Sequence, residues 1–214
     1  MLATMPRPAE PASILAPSRW PWLALAVAAI TLCFQTIPGS RTWFIYDRAA
    51  LAEGEWWRIW TGHLTHFGWP HWLADVGLWL VLGWVLGPRH PRFYYSAVLL
   101  MPLFISSIIF WAEPGLLRYG GLSAVNLGLL LYLALQGWRR QWTDWFWPAV
   151  LAIYVAEIGF EIWQDGSGGG LIRFDEPNIR IATGAHLAGA AYALLAVGWT
   201  WLRRPRAGPC HGKV

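Results

Sequence analysis

Six apolar runs, each close to the roughly 20 residues that carry a helix across a bilayer, limit what this chain can fold into. They lie at about residues 20–38, 71–88, 93–112, 119–137, 145–164 and 181–202. Backbone groups in lipid must be satisfied within their own segment, so each run is expected to be helical. The expected fold class is an all-α membrane protein, a six-transmembrane-helix bundle. Composition agrees, since 56% of the 214 residues are hydrophobic and only 13% charged, far from the balance of a soluble domain. Many of the 18 tryptophans sit at the ends of the runs, as Trp22, Trp69, Trp111 and Trp199 do, where an amphipathic ring favours the headgroup layer.

The net charge of +4 does not point to nucleic acid, because the basic residues are scattered in ones and twos between apolar runs. Topology accounts for them better. The N-terminus, second loop, fourth loop and C-terminal tail carry ten Lys and Arg against two acids, Glu10 and Asp144. The opposite side carries six basic residues against seven acids. This bias places both termini in the cytoplasm of a bacterial inner membrane. The chain then divides into a cytoplasmic tail (1–19), a six-span domain (20–202) and a basic cytoplasmic tail (203–214). No cleavable signal is evident before the first run, which is expected to stay as an anchor. Cys33 and Cys210 offer no metal spacing and no plausible disulfide.

Orientation brings three polar residues to one level. Spans two, four and six run from outside inward; His71 begins the second, Ser123 lies about four residues into the fourth and His186 about five into the sixth. At about 1.5 Å per residue these offsets are within one or two turns of a common depth. Ionisable residues inside spans are functional candidates by default. The first loop, about residues 39–70, mixes acids, arginines and aromatics and is expected to fold against the outer face of the bundle as support for a site. The glycine-rich fifth loop, Asp165-Gly166-Ser167-Gly168-Gly169-Gly170, suits a mobile cap.

Ser123 stands in Tyr119-Gly120-Gly121-Leu122-Ser123-Ala124, and a nucleophilic serine needs a base and oxyanion donors. His186 lies among small residues, Gly184-Ala185-His186-Leu187-Ala188-Gly189, which permit the close helix approach that a Ser–His hydrogen bond requires. His71 and Asp75 are four apart and share a helix face. Together with Glu55-Trp56-Trp57-Arg58 and His66, these motifs resemble the rhomboid family of intramembrane serine proteases in order and spacing, from Asp47 to Leu195.

The resemblance implies a rhomboid-like bundle with a structured first periplasmic loop. It implies that Ser123 is the nucleophile and His186 its general base, with His71 and the Ser123 backbone N–H holding the oxyanion. Trp57, Arg58, His66, Gly121 and Gly189 take supporting places, and no cofactor or metal is implied. Asp75 stands where the family usually has Asn. An ionised carboxylate there accepts but does not donate, so it is protonated by burial, or it only orients His71, or activity is impaired; orienting His71 is the favoured reading. Ala124 replaces a second glycine and is small enough to be tolerated.

Tyr46-Asp47-Arg48 before Gly54-Glu55-Trp56-Trp57-Arg58, in a compact form with no cytosolic domain or seventh span, resembles the rhombosortase branch. That resemblance implies membrane-protein substrates with a single C-terminal span and a Gly-Gly sorting signal. The partners expected are those substrates and the lipid bilayer, with span five and the fifth loop admitting the substrate helix. Glu157 and Glu161, four apart in the outer half of span five, are expected to face a water-filled cavity or to bind an arginine from a loop, with substrate recruitment the alternative to a solvated face. Two rival readings are an inactive rhomboid-like protein that binds or escorts membrane helices, and a zinc site built from His63, His66, His71 and Asp75.

Overall fold

In the computed structural model the structure describes residues 21–164 and 182–202. The expected tails at 1–19 and 203–214, and the glycine-rich cap at Asp165–Gly170, lie outside the described residues. So does the side chain of Glu161. The long helices are α1 (Trp22–Thr36), α5 (Trp69–Arg89), α6 (Pro91–Ala112), α7 (Ser123–Arg140), α8 (Phe146–Trp163) and α9 (Thr183–Leu202). Two of these, α6 and α9, are long and apolar enough to cross a membrane by length and composition, while α1 and the first part of α8 are shorter apolar helices.

The bundle is apolar outside as well as inside. Leu73, Val81, Leu99, Ile153, Val155 and Leu195 are all at least 60% exposed, which suits a surface bathed in hydrocarbon and not one bathed in water. Polar groups turn inward and find partners. The Trp79 indole donates to the Ala24 carbonyl at 3.0 Å, tying α5 to α1, and Trp72 donates to Thr31 at 3.2 Å. The rings of Phe93 on α6 and Tyr132 on α7 stack with centroids 3.5 Å apart.

The segment between α1 and α5 is structured, as its composition led one to expect. It contains α2 (Ser40–Phe44), strand β1 (Tyr46–Asp47), α3 (Arg48–Ala52), α4 (Arg58–Thr61) and a 3-10 turn (Gly62–Leu64). Buried Arg58 holds it together: its guanidinium donates to Glu55 at 2.6 Å and to the carbonyls of Thr42 at 3.0 Å and Ile45 at 2.8 Å. The Trp57 indole, on the exposed side, donates to the Trp43 carbonyl at 3.2 Å.

Two boundaries differ from those read in the sequence. The fourth run, expected to begin its helix at about 119, instead opens with strand β2 (Arg118–Tyr119), which pairs antiparallel with β1, Tyr46 opposite Tyr119 and Asp47 opposite Arg118. Helix α7 therefore starts at Ser123 itself. The backbone before it is spent on a sheet ladder and a glycine turn, neither of which hydropathy distinguishes from helix. The second run starts slightly early, at Trp69, because Pro70 is preorganised for a first helical turn.

Candidate active site

The turn from Gly120 to Leu122 delivers the chain from β2 into α7 with no room to spare. Gly121 has φ +123°, a conformation L side chains rarely adopt, and a Cβ there would lie 2.7 Å from His71 Nε2 and 3.0 Å from Asp75 Oδ2. A Cβ on Gly120 would lie 2.9 Å from Thr65 Oγ1. The Gly121 N–H donates to the Gly62 carbonyl at 3.3 Å. The two glycines thus let the turn lie flat on the 3-10 segment and the start of α5. Ser123 follows as the first residue of α7, which has no side-chain N-cap. Its first-turn N–H groups lack intrahelical partners by construction.

His186 is the fourth residue of α9, and its Nε2 lies 2.9 Å from Ser123 Oγ. With the serine hydroxyl donating, the ring nitrogen accepts, so the ring proton belongs on Nδ1. One turn further on, Gly189 lets the helices touch: a Cβ on it would lie 2.1 Å from the Ala124 carbonyl oxygen, and one on Gly128 would lie 2.7 Å from the Gly189 oxygen. Small residues at helical spacing set the distance between α7 and α9.

On the other side of the turn, buried Asp75 sits between two imidazoles. Its Oδ2 lies 3.1 Å from His71 Nε2 and 3.2 Å from His66 Nε2. His71 Nδ1 faces the Phe67 N–H at 3.3 Å. That N–H can only donate, so Nδ1 accepts and the His71 proton rests on Nε2, the ring edge nearest Asp75. The carboxylate lies beside that N–H at ion-pair distance, without the alignment of a hydrogen bond. The Asn126 amide donates to the Asp75 backbone carbonyl at 2.8 Å, joining α7 to α5 below the site.

His63 does not join this group. Its Nε2 faces Ser106 Oγ at 3.1 Å and its Nδ1 faces the Tyr119 hydroxyl at 3.4 Å, on the far side of the turn. Burial pushes its pKa down to about 4, so the ring is neutral. Among the described residues no group of three or more His, Cys, Asp or Glu side chains is arranged to hold a metal ion.

The structure therefore brings Ser123, His186, His71, Asp75, His66, Gly121 and Gly189 to one place, while Trp57 and Arg58 act at a distance by shaping the first loop. The chain matches the Rhomboid domain over residues 53–204, which is more than half its length. The chain belongs to the rhomboid family. Comparison with individually curated proteins gives no match. Membership makes this rhomboid a membrane-embedded protein from a family of intramembrane proteases, and every residue of the site just described falls within the matched span.

Sequence reasoning gave no role to Tyr119, Ser106 or Asn126. A signal existed for each. Ser106 and Asn126 are polar residues inside apolar runs, which are costly unless they have partners, and Tyr119 abuts the glycine pair.

Proposed function

We propose that this rhomboid is an intramembrane serine endopeptidase with Ser123 as nucleophile and His186 as general base. The single observation that carries this reading is the 2.9 Å contact between Ser123 Oγ and His186 Nε2, made between two separate helices by a buried ring and a half-buried hydroxyl. In the reaction, Ser123 Oγ attacks the scissile carbonyl carbon as its proton passes to His186 Nε2. The carbonyl oxygen takes the negative charge. Collapse of the tetrahedral intermediate breaks the C–N bond, and the amine leaves with the proton from His186. Water, deprotonated by the same imidazole, then releases the acyl group from Ser123. The Ser123 N–H, at the open start of α7, is suited to the oxyanion, and a low-dielectric surround raises its worth.

The finer reading is a bundle of six spans in a bacterial inner membrane, termini in the cytoplasm and the site open to the periplasmic side. Its substrates are membrane proteins with a single C-terminal span, of the Gly-Gly sorting type that the rhombosortase resemblance implies. A second reading, an inactive rhomboid that binds helices without cutting them, is favoured by one observation: the Asp75 carboxylate oxygen lies 3.1 Å from His71 Nε2, where its charge opposes an oxyanion.

An active-site-directed fluorophosphonate separates the two. Labelling of the detergent-solubilised protein that is lost in Ser123→Ala supports the enzyme; no labelling of the wild type, or labelling that survives in the mutant, overturns it. Coexpression with membrane proteins bearing Gly-Gly tails, comparing wild type with Ser123→Ala, tests the substrate class.

A further inference from the structure

The proposed reaction leaves one buried polar chain without a task, running from Ser106 through His63 to Tyr119 and the serine turn. Ser106 Oγ donates to the Ile59 carbonyl at 2.9 Å. Its hydroxyl proton is then committed, so at 3.1 Å from His63 Nε2 it can only accept, and the His63 proton lies on Nε2. His63 Nδ1 is left as an acceptor, facing the Tyr119 hydroxyl at 3.4 Å. The same hydroxyl lies 3.1 Å from the Gly121 carbonyl oxygen, so its single proton is shared between two acceptors, the nearer carbonyl oxygen and His63 Nδ1. His63, Ser106 and Tyr119 are all at most 4% exposed, so no solvent substitutes for these bonds.

The consequence falls on the serine turn. A peptide unit is planar and trans, so its C=O and N–H point in opposite directions. Holding the Gly121 carbonyl toward Tyr119 fixes the Leu122 N–H on the opposite face and sets the angle at which α7 begins. Gly121 would otherwise be the freest residue of the turn. We propose that Tyr119, steadied by His63 and Ser106, is a positioning residue: it fixes the Gly121–Leu122 peptide, and through it the Ser123 hydroxyl and backbone donor. Because the Asp75 carboxylate lies beside the His71 N–H, the orientation of this backbone donor carries more of the transition-state stabilisation. The inference rests on the proposed Ser123 chemistry.

Fluorophosphonate labelling tests it, because Ser123 Oγ forms a bond to phosphorus, fluoride leaves, the proton goes to His186, and the phosphoryl oxygen occupies the oxyanion position. Tyr119→Phe is expected to lower the maximal labelling rate roughly tenfold, less than the roughly 10²–10³ lost when an oxyanion donor is removed outright. The half-saturating probe concentration and the thermal midpoint stay at wild-type values. His63→Asn, whose amide oxygen can still accept from Tyr119, recovers most of the rate that His63→Leu loses. The proposal is overturned by a wild-type rate in Tyr119→Phe, by a slow His63→Asn indistinguishable from His63→Leu, or by a rate loss that follows the thermal midpoint. Ser123→Ala in the same assay keeps the two readings apart. If it labels, the serine chemistry fails; if it does not and Tyr119→Phe reacts at full rate, only the positioning role fails.

Discussion

The two flanks of Ser123 are built on different physical principles. On the α9 side the protein uses almost no polar chemistry beyond the bond to His186; Gly128 and Gly189 bring the helices so close that backbone oxygens nearly touch the opposite α-carbons. On the α5 side the turn rests on polar contacts, the ion-pair distances of the His66–Asp75–His71 group and the hydrogen bonds of the Tyr119–His63–Ser106 chain. Shape places the base, and directed bonds place the donors. Steric placement fails abruptly, because a methyl group either fits or does not, whereas a hydrogen-bonded flank should respond in graded steps to charge and pH.

The largest effect is therefore expected at Gly189. Gly189→Ala puts a Cβ 2.1 Å from the Ala124 oxygen, a backbone atom that cannot swing away. Relief requires α9 to move, and a displacement of about 1 Å at a reacting pair costs about 100-fold in rate, with about 1–3 kcal/mol lost to overpacking. Fluorophosphonate labelling rate and thermal midpoint in detergent measure the two effects. Wild-type labelling by Gly189→Ala would show that close packing is not what places His186.

Acid should act on the stability of the other flank through His63. Burial holds the His63 pKa at about 4 against an ordinary 6.5, so the folded protein refuses a proton that the unfolded chain accepts. Above pH 6.5 both states are neutral and this contribution to stability is complete. It falls away as pH drops from 6.5 toward 4, by about 2 kcal/mol at pH 5 at 1.36 kcal/mol per unit. Thermal midpoints compared between wild type and His63→Phe from pH 7 to 5 should converge on the acid side. A constant gap between them would contradict the buried neutral ring.

How much of this was visible in the sequence follows from the same contrast. Apolar runs and the spacing of Ser123, His186, His71 and Asp75 placed the helices and the site residues, because hydropathy and helical periodicity are local signals. The glycines of α9 were equally legible as a close approach. The Tyr119–His63–Ser106 chain was not, since it joins residues up to 56 positions apart, and a lone histidine in a loop says nothing about which hydroxyl it meets. The fourth apolar run extends beyond its helix for a related reason: Arg118 and Tyr119 form β2 only because β1, far upstream, pairs with them.

A smaller effect is expected at Asp75, and its sign is informative. Asp75→Asn keeps an acceptor oxygen for one imidazole, removes the carboxylate charge beside the developing oxyanion and adds an amide donor. The labelling rate should rise by up to about tenfold, short of the roughly 10²–10³ attached to a complete oxyanion donor. A fall would mean that the carboxylate is needed to hold both rings, and that its orienting action outweighs its charge.

The smallest effect tests where the hydrogen-bonded flank ends. Asp47 caps α3 through the N–H groups of Ala49 at 3.1 Å and Ala50 at 3.3 Å, and it also accepts from Arg118 at 3.1 Å. Partial burial works against its charge, but the Ala50 N–H, Arg118 and the Ala49 N–H outweigh that and hold its pKa below the usual carboxylate range. Arg118 is 70% exposed on its side chain, so water and salt screen the pair and it is worth less than about 1 kcal/mol. Arg118→Ala should leave the labelling rate within about twofold and the thermal midpoint nearly unmoved, because the β1–β2 ladder and the cap on α3 survive without it. A loss as large as that of Tyr119→Phe would place the outer end of the serine turn under the control of a surface ion pair. The flank would then extend beyond Tyr119 to the exposed face of the first loop, and the labelling rate should fall with added salt in wild type but not in Arg118→Ala.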